Sequence, residues 1–188
     1  MIDNILIETV LKKKHWAFTI FYNEIVDHFF SYLKSNFYLT DFEINDIISH
    51  TFVKIWNKMD GFDQEKWNFV SWCWVILRNT TKDYFKKRKD FWFSDFEYTN
   101  EDDTKITIEE KIPDDENILE ELNTDFQFEN IQRAMQDFKP MEREILYLRF
   151  SEQKSLNEIS MITWLSLVNV RVKLHRILNK LRKNLKNN

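Results

Sequence analysis

Residues 155–178 read SLNEISMITWLSLVNVRVKLHRIL, and the fold is decided there. Ser155 and Glu158 have the spacing of a capping box, in which a hydroxyl and a carboxylate satisfy each other's backbone N–H groups. They predict a short helix ending near Thr163. Trp164, Leu165 and Ser166 then make a turn, and Ser166 can cap a final helix over about Leu167 to Leu185. Along that helix Val170, Leu174, Ile177, Leu178, Leu181 and Leu185 form an apolar face, with Asn169, Lys173, Arg176, Lys180 and Lys183 opposite. A short capped helix, a tight turn and a longer basic helix is the helix-turn-helix pattern, whose second helix fits the major groove of duplex DNA. Residues 167–188 hold seven Lys/Arg and no acid. A helix built only for water usually mixes signs, because opposite charges at i,i+4 stabilise it. The pattern assigns Asn169 and Lys173 to base edges, and Arg171, Arg176, Lys180 and Arg182 to base edges or phosphates.

Upstream, Pro140 sits at a natural first-turn position for a helix over about Met141 to Phe150, preceded by one over about Phe126 to Phe138. Residues 92–126 show no clear period and read as a linker with one short helix near Glu116–Leu122. The first part of the chain returns to helical spacing. Phe18, Phe21, Tyr22, Ile25, Phe29, Tyr32 and Leu33 share one stripe, and Ile44, Ile47, Ile48, Phe52, Ile55 and Trp56 share another. Thr40 and Glu43 box the start of that second helix, and Gly61, the sole glycine, marks its end. After a loop from Asp60 to Glu65, a third helix is predicted over about Lys66 to Arg88, burying Phe69, Trp72, Val75, Ile76 and Phe85. The expected architecture is all-α. Two small helical domains, residues 1–91 and 127–188, are joined by an acidic linker, residues 92–126.

Composition narrows the classes further. One glycine and two prolines in 188 residues are too few for an all-β fold rich in tight turns. Cys73 is the single cysteine, which excludes an internal disulfide and a cysteine-built zinc site. His15, His28, His50 and His175 lack ligand spacing, and one glycine cannot build a phosphate-cradling loop. No enzyme, metal or cofactor is expected. No apolar run reaches the length of a membrane span, and no signal peptide is recognisable, so a cytoplasmic protein without a membrane partner is expected.

The net charge of −4 hides an asymmetry. Asp95 to Asp125 holds thirteen Asp/Glu against two Lys, a local −11, so the remainder carries +7. Lys82 to Lys89 holds five Lys/Arg against Asp83 alone. Two basic clusters flanking an acidic segment point to a polyanion touched in two places. The N-terminal cluster also interleaves aromatics. Trp67, Phe69, Trp72 and Trp74 precede Arg78, Asn79, Lys82, Lys86, Lys87 and Arg88, which suits single-stranded nucleic acid, where bases stack and phosphates pair. By default Trp72 is a core aromatic; Asn79 is the sharper residue, since an amide can read an unpaired base.

Taken together, these stretches resemble the sigma-70 superfamily, specifically the short ECF (extracytoplasmic function, group IV) sigma factors of bacterial RNA polymerase. The stretch from Asp46 to Trp56 resembles the helix that binds the polymerase clamp. Phe69 to Trp72, with Arg78-Asn79 and Asp83-Tyr84, resembles the segment that opens and reads the minus-ten element. Phe138 to Phe150 resembles the opening of region 4, and Glu158-Ile159 with Val170 to Arg176 its helix-turn-helix. The resemblance implies polymerase contacts at Asp46, Ser49, Phe52 and Lys54. It implies minus-ten contacts at Trp67, Asn79, Lys82, Asp83, Lys86, Lys87 and Arg88. It implies minus-thirty-five contacts at Asn169, Arg171, Lys173, Arg176 and Lys180. Implied partners are the RNA polymerase core, through its beta and beta-prime subunits, and promoter DNA, both duplex and single-stranded. The acidic linker would imitate nucleic acid inside the polymerase.

The chain departs from the family at Ser49, where glutamine is common, at Trp164, where the turn usually carries glycine, and at Val168-Asn169, where Gly-Thr is usual. The Trp164 departure adds an expectation that promoter choice rests partly on a partner DNA-binding or nucleic-acid-guided protein, besides any anti-sigma factor. Rival classes are a stand-alone helix-turn-helix regulator, an anti-sigma or adaptor protein, and a metal nuclease on the acidic segment. The last lacks the fixed geometry two-metal chemistry needs.

Overall fold

A computed structural model describes residues 2–88 and 138–186. The chain divides into two compact units, Met1–Phe93 and Ser94–Asn188. The expected linker, its helix near Glu116–Leu122, most of the Phe126–Phe138 helix and the proposed domain borders lie outside the described residues. So do the side chains of Arg182 and Leu185. Every regular element among the described residues is helical, and no helix there is long and apolar enough to cross a membrane.

The first unit is built from four helices: α1 (Asn4–Leu11), α2 (His15–Asn36), α3 (Asp41–Lys58) and α4 (Phe69–Arg88), with a 3-10 turn at Met59–Gly61. Sequence reading did not anticipate α1, which Asp3 caps by accepting from the Leu6 N–H at 2.7 Å. Most of both predicted stripes is buried along α2 and α3, including Phe21, Ile25, Phe29 and Leu33 against Ile44, Ile48, Phe52 and Ile55, while Phe18 and Trp56 are half-buried and Tyr22, expected on the stripe, is exposed. The Thr40/Glu43 box forms as expected at the start of α3. The core is aromatic. Phe29 and Trp74 meet edge to face at 4.9 Å, as do Tyr32 and Trp74 at 5.1 Å, geometries that favour the ring quadrupoles.

The third predicted helix starts later than the sequence suggested, at Phe69 rather than near Lys66. The cause is local capping. Asn68 accepts from the Ser71 N–H through its side chain at 3.2 Å, while Asp63 organises the preceding loop. The backbone carbonyl of Asp63 takes the Lys66 and Trp67 N–H groups at 3.3 and 3.1 Å. Hydrogen bonding from Lys66 holds the Asp63 carboxyl below its ordinary range. Trp67 therefore lies in the loop, and Phe62, Phe69 and Trp72 cluster to pin that loop to α4.

The second unit contains α5 (Pro140–Leu146), continued by a π-helical turn at Tyr147–Ser151, then α6 (Leu156–Thr163) and α7 (Leu167–Lys186). Pro140 occupies the first turn of α5, and the Ser155/Glu158 box opens α6, both as the sequence predicted. Helix α7 packs against α5 and α6 through Val170, Leu174, Ile177, Leu178 and Leu181.

Candidate nucleic-acid and partner interfaces

Helix α3 has two faces. Ile44, Ile48, Phe52 and Ile55 turn inward. The expected partner contact at Phe52 is thereby corrected: it is 5% exposed. Its ring packs among Phe18, Phe21, Tyr22 and Phe29 at 4.5–6.5 Å, so it is core and not available to a partner. Asp46 and Ser49 are exposed. On the same face, at i,i+4,i+7,i+11 spacing, stand Phe42 and Val53, 83% and 59% exposed. This face thus offers two large apolar side chains to solvent, Phe42 and Val53, about three turns apart with Asp46 and Ser49 between them. Asp46 is steadied by His50, whose Nδ1 lies 2.8 Å from the Asp46 carbonyl and 3.4 Å from its carboxylate. Lys54 is turned away from this stripe and pairs with Asp83 of α4 at 2.8 Å. Two residues expected on different partners are thus joined to each other.

Helix α4 presents the second candidate surface. Arg78 is buried while Asn79 beside it is exposed, so the amide faces solvent as a base-reading group requires. Lys86, Lys87 and Arg88 are exposed at the end of the helix, and Lys82 is half-buried one turn earlier. Glu43 anchors this basic end. Its carboxylate accepts from the Thr40 N–H and hydroxyl, each at 2.8 Å, from the Tyr84 hydroxyl at 2.9 Å, and from Arg88. The Thr40 backbone bond, then its hydroxyl, Tyr84 and Arg88 hold the Glu43 carboxyl below its ordinary range, against its own desolvation. Burial, reinforced by the Glu43 bond, raises the Tyr84 phenol. One glutamate therefore fixes the start of α3 to the end of α4.

In the second unit the helix-turn-helix is drawn tight by side chains. The Ser160 hydroxyl donates to the Leu165 carbonyl at 2.6 Å, and the Ser166 hydroxyl accepts from the Asn169 N–H at 3.2 Å. Trp164 ends α6 in the left-handed region at φ 63° and ψ 21°, with 66% of its side chain surface exposed. Asn169 is corrected: expected to meet bases, it is 5% exposed. It lies in the first turn of α7, beside the tight turn whose Ser166 hydroxyl accepts its backbone N–H. Arg176 and Lys183 are exposed, and Arg171 and Lys173 are half-buried. Lys180 turns toward its own unit, with its ammonium 4.4 Å from the Phe138 ring centre and 3.8 Å from the Glu142 carboxylate.

Comparison with known proteins matches these two units to two family models in chain order. Residues 31–91 match "Sigma-70 region 2" and residues 134–183 match "Sigma-70, region 4", together more than half of the chain. The chain belongs to the sigma-70 family. A relative named ECF RNA polymerase sigma factor SigW, from Bacillus subtilis, is 26% identical over 148 residues, 77% of this chain and 76% of that protein. The chain is an ECF-type RNA polymerase sigma factor. Two solved structures share its fold. One is CnrH in complex with the cytosolic domain of CnrY, with TM-score 0.64, 18% identity and coverage of 99% and 98% of the two chains. The other is the sigma factor RpoE in complex with the anti-sigma factor NepR from Bartonella quintana, with TM-score 0.59, 19% identity and coverage of 90% and 96%. In this sigma factor region 2 contains the α3 and α4 surfaces, and region 4 contains the helix-turn-helix. Sequence reasoning missed Phe42 and Val53 because large apolar residues default to core. Their signal was available, since both fall opposite Ile44, Ile48 and Ile55 on a helical wheel.

Proposed function

We propose that this sigma factor binds the RNA polymerase core through the outer face of α3, with Phe42 and Val53 as apolar anchors around Asp46 and Ser49. Docked there, it carries the polymerase to promoter DNA and helps open it. Asn79, on α4, takes an unpaired minus-ten base, with Trp67 in the adjoining loop. Lys82, Lys86, Lys87 and Arg88 hold the phosphates just upstream. Capturing an extruded base costs a few kcal/mol of unstacking, so sequences that open easily are favoured. Arg171, Lys173 and Arg176 meet the minus-thirty-five duplex, and the acidic segment between residues 92 and 126 links the two DNA-reading domains. The action is non-covalent, and it takes place where polymerase and chromosome meet, in the cytoplasm. An anti-sigma factor that covered α3 or α7 would hold it inactive.

The observation that carries this reading is the solvent-facing stripe of α3. Full burial of a phenylalanine stabilises by about 1.5–3 kcal/mol, so a partner that covers Phe42 gains that much on docking. The test is assembly with purified bacterial core polymerase, followed by gel filtration. The chain co-elutes with core, and Phe42→Ala weakens the complex by roughly tenfold to a hundredfold. A folded chain that never co-elutes would remove the proposal.

A further inference from the structure

The helix-turn-helix has an apolar tip where a reader of bases by hydrogen bonds would be polar. Asn169 is buried, and the Ser166 hydroxyl is occupied as a cap. What the first turn of α7 offers instead is Leu167, half-buried, and Val168, 52% exposed. Neither can donate or accept a hydrogen bond. One turn earlier stands Trp164, held in a left-handed backbone that glycine adopts without strain and a large side chain does not. Its indole is exposed, so burial in its own domain does not offset that strain. The same helix carries only cations beyond this tip, with Arg176 and Lys183 exposed and no acid from residue 167 onward. That charge selects a polyanion over a protein surface. In the major groove the base feature suited to an apolar side chain is the C5-methyl of thymine.

We propose that Val168 and Leu167 read thymine methyl groups in the upstream promoter duplex, with the Trp164 indole packed against the adjoining sugar-phosphate backbone. This rests on the sigma-factor reading above and adds a specificity rule to it. Selectivity upstream comes from methyl contacts and phosphate clamping, not from an amide or guanidinium on a base edge in the first turn.

The experiment uses the full chain with core polymerase. Upstream duplexes are selected from a randomised pool, and each selected thymine is then replaced by deoxyuridine, which removes one methyl and nothing else. At one or two positions uracil weakens binding by about threefold to fivefold, the worth of one buried methyl. Val168→Ala abolishes that difference, and Trp164→Gly weakens thymine and uracil duplexes equally. Equal binding of thymine and uracil at every position overturns the proposal. So does a selected element without thymine, or a full uracil penalty in Val168→Ala. Unchanged DNA binding in both variants also overturns it, and assigns the apolar tip to a protein. Core assembly is read on the same samples. A complex with no uracil effect sinks this inference alone, whereas no complex with core sinks the sigma-factor reading with it.

Discussion

Glu43 ties the start of α3 to the end of α4, and its replacement by alanine has a calculable cost. The side chain closes the capping box of α3 through the Thr40 N–H, a contribution of about 1 kcal/mol. It accepts from the half-buried Tyr84 hydroxyl, and a hydrogen bond to a charged group is worth about 1.5 kcal/mol or more. The Arg88 pair is 42% and 22% exposed on its two sides and adds no more than about 0.5 kcal/mol. Glu43→Ala therefore destabilises region 2 by about 2–3 kcal/mol, which lowers its melting temperature by roughly 10–20 °C in a unit of this size. Circular dichroism melts of the full chain, with the two units fitted separately, measure this. Tyr84→Phe made in the alanine background costs much less than in the parent, because the two share one bond. A loss under about 0.5 kcal/mol, or strict additivity of the pair, refutes the hub. The pH dependence has a definite sign. The folded carboxyl lies below its ordinary value of 4.5. Its stabilisation is complete above that value and disappears as pH falls through the lowered one. Glu43→Gln flattens that acid limb.

Other substitutions separate core from surface. Phe52→Ala opens a cavity among four rings and costs about 3–5 kcal/mol by urea titration, while Phe42→Ala shifts stability by less than about 0.5 kcal/mol. If Phe52 were instead a partner contact, its alanine variant would keep its stability and lose core binding. Trp164→Gly raises the stability of region 4 by about 1 kcal/mol in urea titration, because it relieves the left-handed backbone while losing little buried surface. A destabilised glycine variant would show that the indole is held by its own domain. Asn169→Ala destabilises by about 1–2 kcal/mol, as expected for a buried polar group, and leaves promoter selection unchanged. Altered selection in a promoter panel would return Asn169 to the DNA surface.

Much of this architecture was legible because its signals are local. Two capping boxes, a proline in a first turn and the apolar faces of α2, α3 and α7 are read from spacings of three to four residues, and the structure forms each. Tertiary effects were the harder part. Asn169 lies on the polar stripe of α7 by helical angle, but it is buried in the folded domain, and spacing along one helix does not report what other elements cover. Phe52 is a different case. Its spacing with Ile44, Ile48 and Ile55 already placed it inward, and only the family resemblance placed it on a partner. Lys54 and Asp83 are 29 positions apart, and no spacing rule pairs residues on separate helices. Trp164 was conspicuous in the sequence as a bulky turn residue, but its exposure needed coordinates.

The role of this chain is to give RNA polymerase its promoter specificity. Transcription in vitro tests it most directly, with purified bacterial core polymerase, a panel of linear promoter templates, and the chain present or absent. Transcripts with defined start sites that appear only when the chain is added are the predicted result. A folded chain that binds duplex DNA tightly by itself, ignores core polymerase and yields no start-specific transcript would instead be a stand-alone regulator.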